Sequence, residues 1–163
     1  MFGKLKNVLG FGNAIKIFAP MNGTTVALSD VNDLVFKDEI LGRGIAMLPV
    51  LGRLVSPVNG VVSHMFDTGH AITLTSDEGV EILMHIGLDT VRLKGKHFTS
   101  LRKNGDKIKI GDVLIDFDLE KIKQEGYDSI VPIVVCNSDN FKKIDVHAGL
   151  VVTMGDEIIS LTP

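Results

Sequence analysis

Short runs of Val, Ile, Leu and Thr follow one another along most of the chain, and Gly, Pro, Asn and Asp separate them. Runs of this length between turn residues predict β-strands, and their frequency favours a sandwich or barrel over alternating strands and helices. The pattern therefore predicts an all-β fold, an antiparallel β-sandwich or barrel-sandwich with short helical turns. The clearest predicted strands are 14–19, 60–66, 71–75, 80–86, 113–117, 130–135 and 157–161.

Two short motifs occur twice in the chain. A Pro-x-Asn-Gly corner at 20–23 returns at 57–60, and the Gly-Asp-containing segment 105–114 returns at 149–158. Proline fixes φ at the start of a turn and Asn-Gly tolerates positive φ, so each corner predicts a tight turn. The repeats predict an internally duplicated domain whose two related halves pack face to face.

Helical character is confined to short stretches. Residues 119–125 are good helix formers that stop at Gly126, and residues 137–143 could begin with an Asn or Ser cap. Both are predicted to be short surface turns.

The first thirteen residues differ in character from the rest. As a helix they would present one apolar side with lysines at its edges, which is the arrangement of a small interfacial helix that contacts a membrane surface. Three glycines favour instead a flexible terminus. The predicted organisation is an amphipathic or flexible segment at 1–13, then a single domain at 14–163. The apolar side consists of Met1, Phe2, Leu5, Val8 and Leu9, the lysines are Lys4 and Lys6, and the glycines are Gly3, Gly10 and Gly12.

Composition narrows the class of protein. Of the 163 residues, 45% are apolar and 23% are charged, and the net charge of −3 gives no reason to expect a nucleic-acid partner. No apolar run is long enough to span a bilayer, and the start lacks the continuous apolar stretch of a signal peptide. The single cysteine, Cys136, excludes an internal disulfide and is interpreted as a buried thiol. These features predict a cytoplasmic protein, peripheral to the membrane if residues 1–12 contact lipid.

Two histidines flank a predicted hairpin. Strand-like residues run from His70 to a turn at 76–79 and continue to His85. With a symmetric turn, paired residues have numbers that sum to 155, which places His70 opposite His85 on one face, with Cβ atoms about 4.5–5.5 Å apart. A three-residue loop that ends in a glycine bulge at Gly79 would shift the register by one and put the rings on opposite faces. We predict the first arrangement.

Paired imidazoles on a largely apolar hairpin suit phosphoryl transfer. A neutral imidazole is a competent nucleophile at pH 7, because its ordinary pKa is about 6.5, and its attack on a phosphoryl donor gives a phosphohistidine. The second ring can donate a hydrogen bond to the transferred group, and apolar surroundings limit hydrolysis. The chain has no Walker loop, so the expected donor is another phosphoprotein rather than ATP.

A zinc site is the competing interpretation. His85 and Asp89 form a His-x-x-x-Asp string, a spacing also found in zinc peptidases, but the His-x-His string of those enzymes is missing. Two histidines fall short of the three or four ligands that zinc prefers. His64, His97 and His147 stand apart in the sequence; His97 is expected to be exposed, and His147 to lie in a turn.

The residues around His85 carry a family resemblance. The stretch Gly79-Val-Glu-Ile-Leu-Met-His85-Ile-Gly-Leu-Asp-Thr-Val91 resembles the signature of glucose-type enzyme IIA (EIIA) of the bacterial phosphoenolpyruvate-dependent sugar phosphotransferase system. Leu83 stands where the family often has a bulky aromatic residue, and Met84 is larger than usual. The resemblance extends over nearly the whole chain and includes 18–23, 31–36, 42–46, 56–60, 67–71, 93–95, 116–119 and 153–155.

The resemblance implies specific roles. His85 would accept a phosphoryl group through Nε2 from the histidine-containing phosphocarrier protein and pass it to a cysteine of the IIB domain of a sugar permease. His70 would stabilise the phosphate, and Thr68 would hydrogen-bond beside the pair. The partner-binding residues would be the acidic Asp33, Asp89 and Asp139 and an apolar collar of Val35, Phe36, Leu41, Phe66, Leu83 and Val91.

Other functions stay open at the level of sequence. The family implies a regulatory binding module for permeases or kinases as an alternative, with a zinc ion that His70 and His85 would share with a partner carboxylate. A zinc-dependent hydrolase of related fold is a third class. No cofactor is expected to be obligatory. A lipoyl or biotin carrier is disfavoured, because the chain has no hairpin lysine between two methionines.

Overall fold

The computed structural model describes residues 14–163, and within them strands dominate. This described range contains two α-helices, α1 at Leu34–Lys37 and α2 at Leu119–Gln124, with 3₁₀ turns at Leu28–Asp30, Thr90–Leu93 and Ser138–Asn140. The strands are β1 Ile15–Phe18, β2 Gly23–Ala27, β3 Arg43–Pro49, β4 Arg53–Val55, β5 Gly60–Met65, β6 Ala71–Ser76, β7 Glu81–His85, β8 Phe98–Ser100, β9 Lys107–Ile108, β10 Val113–Phe117, β11 Val131–Val135, β12 Lys143–Val146, β13 Val151–Val152 and β14 Glu157–Thr162.

The strands form three antiparallel sheets. The largest has the order β13-β2-β3-β11-β7-β6-β5-β9, and the two smaller ones have the orders β1-β14-β12 and β4-β10-β8. The predicted all-β class is confirmed, and each predicted strand forms to within a residue or two. The helix predicted at 119–125 is also confirmed as α2. The second predicted helical stretch is wrong over most of its length, because only Ser138–Asn140 is helical and Lys143 already pairs with β14.

The duplicated corners make equivalent hydrogen bonds across a local pseudo-twofold relationship. The amide of Phe18 donates to the carbonyl of Pro57 at 3.1 Å, and the amide of Val55 donates to that of Pro20 at 2.7 Å. Each corner asparagine side chain also accepts from the other repeated motif: Asn22 from the Met154 amide at 2.9 Å, and Asn59 from the Ile110 amide at 2.9 Å. Each repeat therefore has the same local structure in both halves.

Apolar side chains separate into two clusters because the central strands are buried on both faces. Along β7, Ile82 and Met84 enter the main core between the sheets, whereas Leu83 enters a second cluster on the opposite face of the large sheet. Since side chains alternate along a strand, His85 shares the face of Leu83. The second cluster consists of Leu28, Val31, Phe36, Ala46, Ala71, Leu83, Leu88, Ile130 and Val134, with Val26 and Phe66 packed against it.

The interfacial helix predicted for residues 1–12, and with it the boundary at residue 13, lies outside the described residues. Within residues 14–163, none of the helices has the length and apolar character needed to cross a membrane.

Candidate functional site

The two histidine rings meet above the second apolar cluster. Their centroids are 4.9 Å apart and the ring planes are nearly perpendicular, at 83°. The predicted proximity is therefore present, but the predicted register is wrong. Ala71, not His70, pairs with His85, so the numbers of paired residues sum to 156.

The turn explains the shift in register. The Ser76 amide donates to the carbonyl of Val80 at 2.9 Å, which closes a three-residue loop that ends at Gly79 with φ of 87°. This is the glycine-bulge alternative that the sequence left open. The rings still meet because β6 begins at Ala71, and His70 lies in the bend that follows Gly69, whose φ is 68°. The alternation of faces along the strand does not extend to it.

Both rings are oriented through their Nδ1 atoms. Nδ1 of His70 is hydrogen-bonded to Oγ1 of Thr68, as expected for that residue, although Thr68 lies in a turn rather than on the strand. Nδ1 of His85 donates to the carbonyl oxygen of Gly87 at 2.6 Å. A carbonyl only accepts, so the His85 hydrogen is on Nδ1 and the lone pair is on Nε2. Both Nε2 atoms are left available to a ligand.

Aromatic rings border the pair on two sides. The ring of Phe36 lies 5.4 Å from that of His85, and the ring of Phe66 lies 5.5 Å from that of His70. His64, which stands apart in the sequence, packs edge-on against Phe66 with centroids 4.8 Å apart. Phe36 is buried, Phe66 is half-buried, and His70 has only 4% of its surface exposed. The imidazoles therefore sit in a partly dehydrated setting.

Burial sets the protonation state of both imidazoles. It lowers the pKa of His70 to about 4, with a smaller contribution from the neighbouring His85. Burial also lowers the pKa of His85, but the hydrogen bond to Gly87 and the negative charges of Asp33 and Asp89 oppose the shift. At pH 7 both rings are neutral, and the Nε2 lone pair of His85 is available.

The depressed pKa of His70 predicts a pH dependence of stability. Between pH 6.5 and about 4 the unfolded chain binds the proton and the folded protein does not, so the free energy of unfolding falls as the pH falls through this window. The loss attributable to His70 is at most about 3 kcal/mol, and His85 acts in the same direction. Urea unfolding at a series of pH values tests this. The His70→Asn variant should show a shallower loss, and an equally steep loss in that variant would contradict the assignment.

The predicted partner-binding residues do not all lie near the histidine pair. Val35 and Val91 are exposed beside Phe36 and Asp89 respectively, and Leu83 is buried in the cluster under His85. Asp33 and Asp89 are close enough to His85 to affect its charge. Leu41 and Asp139 instead line a depression with Arg43 and Cys136, and no side-chain hydrogen bond within residues 14–163 joins them to either imidazole.

Three site features were not predicted. The Gly87 carbonyl orients His85, and only its position two residues after the histidine could have indicated this. Leu34 and Ile40 are 69% and 67% exposed and extend the apolar surface around α1. Val35 and Leu41, which are adjacent to them in the sequence, were assigned to the collar. This adjacency was the signal that could have identified Leu34 and Ile40.

Two predictions about side-chain exposure are wrong. Cys136 is exposed rather than buried, because it follows the last residue of β11. Partial burial of its thiol and the nearby Glu81 raise its pKa, which is opposite to what a reactive thiol needs. The side chain of His97 is only 10% exposed and pairs with Glu125.

The donor set does not fit a resident zinc ion. Among the residues that the structure describes, no group of three or more His, Cys, Asp or Glu side chains is arranged to hold a metal. His70 and His85 use their Nδ1 atoms on Thr68 and Gly87, which leaves two nitrogen donors where zinc takes three or four ligands. A partner would have to supply the rest.

Fold and site together define an all-β protein of duplicated halves with a pair of neutral imidazoles bordered by aromatic and apolar side chains. Comparison with known proteins identifies its family. Residues 15–141 match the family described as phosphoenolpyruvate-dependent sugar phosphotransferase system, EIIA 1. The chain belongs to this family, and it is therefore a phosphotransferase component of a sugar phosphotransferase system.

Individual relatives agree with this assignment. A "PTS system glucose-specific EIIA component" of Staphylococcus epidermidis is 43% identical over 163 residues, covering 99% of this chain and 96% of the relative. A "PTS system beta-glucoside-specific EIIBCA component" of Bacillus subtilis is 52% identical over 125 residues, but the match spans 77% of this chain and only 20% of that longer protein. Among solved structures, "glucose permease IIA from Mycoplasma capricolum" has a TM-score of 0.84 at 34% identity, over 92% of this chain and 97% of the other.

Proposed function

We propose that this protein carries a phosphoryl group on Nε2 of His85 between two protein partners. The observation that carries the proposal is the hydrogen bond from His85 Nδ1 to the Gly87 carbonyl at 2.6 Å, which leaves the Nε2 lone pair free in a partly dehydrated site. The donor in this proposal is the histidine-containing phosphocarrier protein, and the acceptor is a cysteine of the IIB domain of a sugar permease.

The incoming step is a displacement at phosphorus. The Nε2 lone pair of neutral His85 forms the new N–P bond, and the donor ring, which is protonated on its other nitrogen, leaves as a neutral imidazole with the electrons of the old bond. The phosphorylated His85 ring keeps its proton on Nδ1, where the Gly87 carbonyl stabilises the positive charge that develops on the ring. When the group moves on, the same ring departs as a neutral imidazole, which is a good leaving group.

His70 stabilises the transferred group in this proposal. If Thr68 donates its hydroxyl hydrogen to Nδ1 of His70, the ring hydrogen is on Nε2. That N–H can donate to a phosphoryl oxygen on His85, since the ring centroids are 4.9 Å apart. A dianionic group at this distance would also raise the pKa of His70 from its low value, so that the ring can take up positive charge.

The surface around the pair suits docking of protein partners. The exposed apolar side chains of Leu34, Val35 and Ile40 lie on or just after α1, the helix that carries Phe36, and Asp33 and Asp89 add negative charge. An apolar patch with an acidic rim favours partners with an apolar contact surface bordered by basic residues. The remaining proposed collar members, Leu41, Phe66, Leu83 and Val91, and Asp139 belong to the wider contact area in this proposal.

Removal of the rim charges is expected to slow association with the phosphocarrier protein. Asp33→Asn keeps the helix cap, because the side-chain oxygen that accepts from the Val35 amide at 2.9 Å is retained. Asp89→Asn keeps a residue that tolerates the observed φ of 60°. The double variant should lower the association rate constant about 3- to 10-fold at low salt and weaken its salt dependence.

Stopped-flow association at several salt concentrations measures this effect. Asp156→Asn is the matched control, because Asp156 also accepts a backbone hydrogen bond, from the Thr153 amide at 2.9 Å, on an exposed turn of the repeated Gly-Asp segment 149–158. An equal loss in the control, or an unchanged salt dependence in the double variant, would contradict steering by Asp33 and Asp89.

The direct test of the function is reconstituted transfer. The protein is mixed with the phosphorylated phosphocarrier protein, and acid-labile phosphate on the chain is measured by mass spectrometry before and after addition of the IIB domain. We expect the label to appear on the chain and then to be discharged to IIB. Failure of the chain to take the label from this donor would overturn the proposed function.

A further inference from the structure

A loop that is distant in sequence supports the turn that precedes His70. Residues 94–100 pack against the turn that carries Thr68 and Gly69. A Cβ atom on Gly69 would lie 3.2 Å from Cβ of Phe98, and one on Gly95 would lie 3.7 Å from the Thr68 carbonyl oxygen. Because Thr68 is bonded to the His70 ring, displacement of this loop would reach the ring.

A second segment, residues 126–130, supports His85. The amide of Leu88 donates to the carbonyl of Asp128 at 3.0 Å, and the amide of Gly87 donates to that of Ile130 at 3.0 Å. Gly87 is the residue whose carbonyl orients His85. A Cβ atom on Gly87 would lie 2.9 Å from the Asp128 carbonyl oxygen, so the two backbones are in close contact.

One side-chain pair joins the loop at 94–100 to the segment at 126–130. Nε2 of His97, in the loop, is hydrogen-bonded to Glu125. Glu125 caps the C-terminal end of α2, and residues 126–130 follow it directly in the chain. Nζ of Lys96 lies 3.5 Å from the same carboxylate. The hydrogen bond from His97 is the main reason that the pKa of Glu125 is lowered, with Lys96 contributing further. The carboxylate is therefore charged at neutral pH.

The loop needs such a restraint because its backbone is in a disfavoured conformation. Lys94, Gly95 and His97 all have positive φ, at 53°, 91° and 77°. Residues other than glycine adopt this left-handed region at a cost, so the loop holds its shape only while contacts keep it there. The His97 side chain, with its partner at Glu125, supplies one such contact, and the Asp118 amide, which donates to the His97 carbonyl at 2.9 Å, supplies another.

We infer that His97 and Glu125 form a positioning pair that sets the geometry of His70 relative to His85. The pair makes no hydrogen bond to either imidazole within residues 14–163. It acts through the loop at 94–100 and the segment at 126–130. The inference rests on the proposed function for its effect on transfer, but its effect on the two rings can be measured without any partner.

Four variants separate the effect of the His97–Glu125 pair from a general effect of removing a surface ion pair. Glu125→Ala breaks the pair, Glu125→Gln restores an acceptor of similar reach, and His97→Gly breaks the pair while removing the backbone strain. Glu157→Ala is the matched control, because Glu157 also bridges a lysine and a histidine, Lys16 at 3.3 Å and His147 at 3.2 Å, but it lies on β14 in a different sheet.

Ring signals give the partner-free readout. In Glu125→Ala and His97→Gly, the ¹⁵N and ¹H resonances of the His70 and His85 rings should shift and the cross-peaks between the rings should weaken. Glu125→Gln should recover much of the wild-type pattern, and Glu157→Ala should keep it. Unchanged ring signals in both pair-breaking variants, with the link confirmed broken by loss of the His97 hydrogen-bond signal, would overturn the inference.

Transfer kinetics give the functional readout. We expect kcat for transfer to the IIB domain to fall about 3- to 10-fold in the two pair-breaking variants, with KM unchanged, because misplaced groups slow the chemical step. An equal fall in Glu157→Ala would indicate a general stability effect and would count against positioning. If the wild-type protein carries no phosphate at all, the proposed function fails, and the ring signals alone decide the inference.

Discussion

Replacement of His85 with alanine is expected to abolish phosphoryl acceptance. The substitution removes the proposed nucleophile, and His70 does not replace it in this proposal, because with Thr68 donating to Nδ1 of His70 the ring hydrogen is on Nε2 and no lone pair is free there. Loss of the attacking group should reduce the rate of labelling by the phosphorylated phosphocarrier protein roughly 10³-fold or more. The measurement is the time course of acid-labile phosphate on the chain.

The control for this prediction is another histidine. His147→Gln removes an imidazole that follows β12 and lies 3.2 Å from Glu157 on β14, in a different sheet from β6 and β7, so this variant should be labelled at the wild-type rate. The ring of His85 is half-buried, so thermal unfolding must show that His85→Ala remains folded. A folded His85→Ala protein that takes up the label normally would refute the role of His85.

His70→Gln is expected to separate the two transfer steps. In the incoming step the nucleophile is a neutral imidazole, which meets little electrostatic repulsion from the phosphoryl group. In the proposed outgoing step a cysteine thiolate approaches a dianion, and the hydrogen bond and positive charge that His70 can provide would offset the repulsion between them. Glutamine retains a hydrogen-bond donor but cannot take up a proton.

We therefore expect His70→Gln to accept phosphate within about tenfold of the wild-type rate and to discharge it to the IIB domain about 10²- to 10³-fold more slowly. Single-turnover measurements of each step separate the two rates. Thr68→Val is a useful companion, since it leaves the imidazole in place but removes its hydroxyl partner; it should cause a smaller loss in the same step. Equal losses in both steps for His70→Gln would contradict the assignment.

The sequence predicted the fold class and the proximity of His70 and His85, but not the register of the two strands. Strand alternation and turn residues are local signals, and they correctly located β6 and β7. The choice between a symmetric turn and a glycine bulge depends on the backbone conformation of a single residue, Gly79. The bend before Ala71 then compensated for the shift, which alternation along a strand cannot anticipate.

Long-range contacts account for the rest of what the sequence did not reveal. Nothing local to His97 indicates that Glu125, 28 positions away, holds its side chain. The same is true of the backbone of Asp128 and Ile130, which supports Gly87. Cys136 was interpreted as a buried thiol, but it falls one residue beyond β11 and is exposed.

The most direct test of the proposed carrier role is to locate the phosphoryl group on the wild-type chain. After incubation with the phosphorylated phosphocarrier protein, ³¹P and ¹⁵N NMR of the labelled protein identify the nitrogen that carries phosphorus. The hydrogen bond from His85 Nδ1 to Gly87 predicts a single phosphohistidine at Nε2 of His85, with the proton still on Nδ1. Phosphorus on His70, on Nδ1 of His85 or on a residue outside the pair would contradict it.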